Sequence, residues 1–102
     1  MDYTAENFSR HLNTKFKVKV ESGEPVELEL VEVEVRKTEP DEQPGMERFS
    51  TFFRGPANSL LPQHTYDLVH SEMGEIQIFL VPLGQDKSGM TYEAVFNRFI
   101  GD

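Results

Sequence analysis

Cysteine and tryptophan are absent from this chain. Without thiols there are no disulfides, no thiolate nucleophiles and no Cys-ligated zinc or iron–sulfur clusters. The 102 residues therefore rely on an ordinary apolar core. A domain of this length buries somewhat over ~60% of the surface its unfolded chain exposes. Long hydrophobic runs are also missing. No window of about 18 apolar residues occurs, so no transmembrane helix is expected. Residues 1–10 show no basic start followed by an apolar run, so we expect no signal peptide and synthesis in the cytoplasm. A later place in an exported or particle-associated assembly stays open. Positive charge is scarce too. Ten Lys and Arg stand against 18 Asp and Glu, a formal net charge of −8, which repels phosphate backbones and anionic lipid. Neither nucleic acid nor membrane is an expected partner. The glycines stand singly, with no G-x-x-x-x-G-K or G-x-G-x-x-G loop to cradle a phosphate.

What the chain does have is alternation. It opens with a short helical pattern over residues 4–13. Thr4 is suited to cap it, and Phe8 and Leu12, four apart, share a face that Tyr3 can join. So short a helix must dock on something apolar. The period then drops to two. Phe16, Val18 and Val20 alternate with Lys15, Lys17 and Lys19. After a turn over residues 21–25, Val26, Leu28 and Leu30 alternate with Glu27 and Glu29. This is a β-hairpin pattern. Placing Val20 opposite Val26 sets Lys19 against Glu27 and Lys17 against Glu29, which puts apolar side chains on one face and opposite charges on the other. At Leu30 and Val31 the alternation skips a beat, and Val31, Val33 and Val35 then alternate with Glu32 and Glu34. One extra residue, a β-bulge near Leu30, restores the apolar face and would bring Lys15 towards Glu32.

Residues 37–45 hold two prolines, a glycine and several acids, the composition of an exposed, mobile loop. A third strand spans residues 46–54, with Phe49, Thr51 and Phe53 on one face. In the connection over residues 57–64, Leu60 and Leu61 are expected to turn inward, while Pro62 prevents pairing. A second hairpin joins residues 65–70 to 75–83 through a turn at 71–74. Ile76, Ile78 and Leu80 face one way, and Gln77, Phe79 and Val81 the other. With apolar residues on both sides, this fifth strand is expected to be central or covered by the helix. A turn over 84–89 leads to a last strand at 90–98, in which Tyr92, Ala94 and Phe96 share a face. Six strands with short turns and one N-terminal helix predict a single all-β domain over residues 1–102. The β-portion occupies about residues 15–99 as a small antiparallel six-stranded barrel or curled sheet, meander-like, with the helix plugging one end. A two-sheet sandwich is the alternative.

Candidate chemistry is thin. His70-Ser71-Glu72, with Glu75 beyond the turn, is a fragment of a metal site without a full ligand set. Ser59 near His64, and Ser71 near His70, are the only short-range pairs of hydroxyl and base, and neither has a nucleophile elbow. Glu27, Glu29, Glu32 and Glu34 alternate with apolar positions. Exposure would leave their pKa values undisplaced, which does not suit acid–base catalysis. Three tyrosines and eight phenylalanines follow the core pattern and lack the interleaved basic residues of a strand platform for nucleic acid.

The second half carries a recognisable string. It reads Phe52-Phe53-Arg54-Gly55-Pro56, Leu61-Pro62-Gln63, Thr65-Tyr66, Val69-His70, Gly74, Phe79-Leu80-Val81-Pro82 and Tyr92-Glu93-Ala94-Val95-Phe96-Asn97. It resembles a family of small bacterial proteins of unknown function over roughly residues 8–97. That resemblance implies an association with phage-tail-collar-like proteins, and so a role beside a fibre or tail-like assembly. Members often have glycine at the position of His64, so no role passes to that residue. The string also has a structural sense. Gly55 and Gly74 suit turns with positive φ, Pro62 and Pro82 mark strand ends, and Arg54 is placed to meet rim carbonyls or Glu93.

These observations lead us to expect a non-enzymatic protein-interaction or structural accessory module without a cofactor, whose partner is another protein. The candidate contacts are Glu27, Glu29, Glu32, Glu34, the loop over residues 39–47, and Arg54. The competing expectation is a β-barrel that binds a small hydrophobic ligand among Phe49, Phe52, Phe79 and Phe96.

Overall fold

The computed structural model describes residues 4–21, 23–36 and 46–99. Tyr3 and the loop over residues 37–45 lie outside the described residues, as does the interaction segment 39–47 except for the backbone of Met46 and Glu47. The elements are α1 (Ala5–Ser9), β1 (Lys15–Val18), β2 (Val26–Arg36), β3 (Met46–Gly55), β4 (His64–His70), β5 (Gly74–Asp86) and β6 (Gly89–Phe99). All strand pairs are antiparallel. The strands close into a ring in the order β1-β2-β3-β6-β5-β4.

That order departs from a simple meander. Two three-stranded meanders, β1-β2-β3 and β4-β5-β6, are joined so that β3 pairs with β6 and β1 with β4. The connection between them carries the chain from Gly55 to His64. Two phenols pin it at consecutive residues. The buried Leu61 N–H donates to the Tyr92 hydroxyl at 2.8 Å. The Tyr66 hydroxyl donates to the Pro62 carbonyl at 2.6 Å. Burial, and then Tyr92, push the Tyr66 pKa above the ordinary 10.0, so it is a donor at neutral pH. Leu61 turns inward as expected, but Leu60 is exposed.

The inward face follows the alternation. Phe16, Val18, Leu28, Leu30, Phe49, Phe53, Leu68, Leu80 and Tyr92 are fully buried, with Ile76, Ile78 and Ala94 nearly so. Phe16 and Phe53 meet edge to face at 5.4 Å, the arrangement favoured by ring quadrupoles. The bulge in β2 is where the skipped beat placed it. Leu30 pairs with Phe53 and Glu32 with Phe52, leaving Val31 as the extra residue. A second irregularity lies between Pro82 and Gly84 in β5, next to a proline that has no N–H to give a ladder.

Other expectations need correction. The β1–β2 register pairs Lys17 with Glu27 and Val18 with Val26, two residues from the expected alignment. β1 ends at Val18, and the Lys19 N–H donates to the Asp67 carbonyl of β4, so Val20 never reaches Val26. Lys15 pairs with Glu29 rather than approaching Glu32. The helix is shorter than expected. Thr4 caps it, accepting from the Asn7 N–H at 3.0 Å, but it ends at Ser9. Asn13 then takes a positive φ of 66°, and its N–H donates to the Leu30 carbonyl. Leu12 therefore lies in a turn and is exposed, while Phe8 is fully buried. Gly55 does not need positive φ. A Cβ there would sit 2.5 Å from Leu28 Cδ2, so the buried Leu28 side chain would have to shift to admit one. Gly74 has φ 77° as expected, and Gly89 has φ 129°.

Pairing of β5 with β6 runs only to Val81 opposite Glu93, whereas β3 and β6 stay paired to Met46 opposite Phe99. β1 accompanies β2 only to Glu29. Beyond those points β2, β3 and β6 continue as a three-stranded extension. Here α1 packs against β2 and β3. Phe8 sits 6.0 Å from Phe49 and 5.3 Å from Phe96, and those two rings stack at 4.8 Å. The helix thus plugs this end of the ring and does not cover β5, which leaves Phe79 and Leu83 exposed.

Candidate functional site

The outer face of β2 divides at the bulge. Before it, each carboxylate has a cation across the strand. Lys17 stands opposite Glu27. Lys15 Nζ lies 3.5 Å from Glu29 Oε1, and Glu29 also stands opposite Arg54 of β3. Lys19, just past the end of β1, leaves the row and pairs with Glu75 at 3.1 Å. Beyond the bulge the lysine strand has ended. Glu32 stands opposite Phe52, and Phe52 opposite Glu93 of β6, so an aromatic side chain is flanked by two carboxylate-bearing positions. Glu32 and Glu34 are exposed, and Phe52 and Glu93 half-buried. The four glutamates thus share a face but not an environment. The bulge that the sequence revealed is what separates them.

Arg54 is exposed and stands opposite Glu29 and Thr91, not Glu93, which occupies the Phe52 row. With Lys15, Glu29 and Ser88 it lines an open cleft of about 340 Å³. Its placement beside Lys15 and Glu29 makes it part of the charge-matched half.

The histidines are placed very differently from one another. His64 is exposed, with its ring 5.4 Å from Tyr66. His70 is only 4% exposed, because Tyr66, Leu68 and His70 follow the inward alternation of β4. Its Nδ1 accepts from the N–H groups of Glu72 at 3.0 Å and Met73 at 3.1 Å. Its Nε2 lies 2.9 Å from Thr14 Oγ1. The Thr14 hydroxyl donates its own proton to the His11 carbonyl, so Oγ1 accepts from Nε2–H. These bonds fix the neutral Nε2–H tautomer. Neither ring nitrogen then has a lone pair free for a metal, and His70 cannot serve Thr14 as a base. Among the described residues no hydrogen bond joins Ser59 to His64 or Ser71 to His70, and no group of three or more His, Asp or Glu is placed to hold a metal ion. Also among the described residues, no helix is long and apolar enough to cross a membrane.

The chain belongs to the DUF6916 family, a domain of unknown function, whose model matches residues 3–96. Neither a curated protein nor a solved structure matches it.

Proposed function

We propose that this DUF6916 member is a non-enzymatic protein-interaction or structural accessory module. It docks on, or chaperones, a component of a larger assembly, of which a phage-tail-like or fibre assembly is the type implied by the sequence resemblance. The observation that carries this reading is the divided outer face of β2. Glu27 and Glu29 are matched by Lys17 and Lys15, whereas Glu32 stands beside Phe52 with no cation opposite. A carboxylate next to a half-buried aromatic ring suits a Lys or Arg side chain of a partner, through ion pairing and a cation–π contact. The ring interior supports the same reading over the ligand-binding alternative. It is filled by the protein's own Phe16, Phe49, Phe53 and Tyr92, as small rings of strands usually are.

The test is capture from native lysate at low and moderate salt, read by mass spectrometry, with charge reversal at Glu32 compared with charge reversal at Glu27. A specific partner should be lost with Glu32→Lys and with rising salt, but retained with Glu27→Lys. Equal retention by both variants would remove the acidic-face mechanism.

A further inference from the structure

β2 outruns its neighbour. β1 pairs with it only as far as Glu29, and the residues just before β1 reach one position further. Leu30 donates its N–H to the Thr14 carbonyl and accepts from the Asn13 N–H. At Asn13, with its φ of 66°, the chain leaves the edge for α1. Residues 32–36 stay paired with β3 on one side. On the other side, among the described residues, no strand accompanies them.

The direction of the open backbone groups follows from Leu30. Along one strand, chirality ties the face a side chain takes to the edge its backbone groups take, so residues that share a face share an edge. Leu30 is buried on the inward face and bonds towards β1. The bulge returns Val33 and Val35 to that inward face, opposite the buried Thr51 and Phe49. They therefore turn their N–H and C=O groups to the same edge. Among the described residues no backbone bond meets them there. Val35 is 59% exposed, so α1 leaves this end uncovered. Glu32 and Glu34 flank the edge on the outer face, both exposed.

β1 shows what such an edge accepts. Lys15 and Lys17 stand opposite Glu29 and Glu27, while Phe16 and Val18 stand opposite Leu28 and Val26. Beyond the bulge β2 repeats the order of acid and apolar residue, and the basic strand is gone. We infer that this edge takes a strand from another protein: an extended segment in which Lys or Arg alternates with apolar residues, laid antiparallel to β2 as a continuation of β1. Its basic residues stand opposite Glu32 and Glu34 and its apolar residues opposite Val33 and Val35. Its backbone closes the open groups of the two valines. A second copy of this chain does not fit, because two β2 edges laid antiparallel set glutamate against glutamate. The inference rests on the acidic face proposed above and adds how the partner is held.

Nuclear magnetic resonance on the full chain tests it, with an end-blocked hexapeptide of alternating lysine and valine as the probe. A hexapeptide of three lysines followed by three valines, equal in charge and composition, is the control. At about ten times its Kd, the alternating peptide should slow amide exchange at Val33 and Val35 about tenfold. Val95 and Asn97, in the part of β6 that β5 no longer accompanies, should not change. Val35→Pro deletes an N–H on the open edge and none in the β2–β3 ladder, a place where sheets tolerate proline. It should abolish binding, and Glu32→Lys should weaken it several-fold. Equal binding of the two peptides, unchanged exchange at Val33 and Val35, or equal protection of Val95 and Asn97 would overturn strand addition. Binding kept by Val35→Pro but lost with Glu32→Lys would overturn it too, and leave the acidic face standing. Binding indifferent to Glu32→Lys would remove both. If Val35→Pro does not fold, the wild-type exchange pattern with the two peptides decides.

Discussion

Removing one oxygen from Tyr92 tests whether the crossing connection holds the ring order. Tyr92 is fully buried, and its hydroxyl accepts from the Leu61 N–H at 2.8 Å, with Leu61 itself only 5% exposed. Tyr92→Phe keeps the ring and deletes the acceptor. The Leu61 N–H is then buried without a partner, which costs about 1–3 kcal/mol. For a domain of this size each 1 kcal/mol lowers Tm by about 4–8 °C, so a fall of at least about 4 °C is expected, with a matching shift in the urea midpoint at unchanged slope. Tyr66→Phe is the paired control. It deletes a donor to Pro62, the very next residue, but Pro62 is exposed and water can replace the phenol, so the loss should stay within about 0.5 kcal/mol. Equal losses in the two variants, or a Tyr92→Phe protein within about 0.5 kcal/mol of wild type, would refute the claim that this buried bond anchors the connection.

Two further substitutions probe the close approach and the plug. Gly89→Ala places a Cβ 2.2 Å from the Gly55 carbonyl oxygen at a φ of 129°. Backbone strain alone should cost about 1–3 kcal/mol, read from urea denaturation, whereas Gly23→Ala, with open space around it, should not match that loss. Phe8→Ala empties a fully buried position against Phe49 and Phe96. It should cost about 3–5 kcal/mol and remove amide protection over residues 5–9 before the strand ladders open.

Period-two alternation carried most of the fold into view. It identified six strands, their inward residues and the bulge at Leu30. It could not set the β1–β2 register, because a shift of two residues leaves every side chain on the same face. Only the early end of β1, with Lys19 bonded to Asp67, decides between the two alignments. Nor could it give the ring order, which depends on contacts between residues far apart in sequence, such as Leu61 and Tyr92. The buried histidine was visible in principle. Continuing Tyr66 and Leu68 by two residues puts His70 on the inward face. The chemistry of that ring lies in the two backbone donors of the next turn, and no residue type announces those.

The same bulge makes the proposed interface testable without confounding fold and function. Glu27 and Glu29 face lysines, so charge reversal there turns attraction into repulsion within the ring. Glu32 has Phe52 beside it and Glu93 one strand further on. Two strand spacings separate those carboxylate-bearing positions by about 10 Å, and at physiological salt the Debye length is about 8 Å. Their mutual repulsion is therefore largely screened, and Glu32→Lys should change stability by no more than about 0.5 kcal/mol, as for an ordinary surface substitution. A loss of partner binding in that variant is then a property of the surface. A large drop in Tm would show that Glu32 supports the extension of β2, β3 and β6, and the acidic-face assignment would fail on structural grounds before any partner was found.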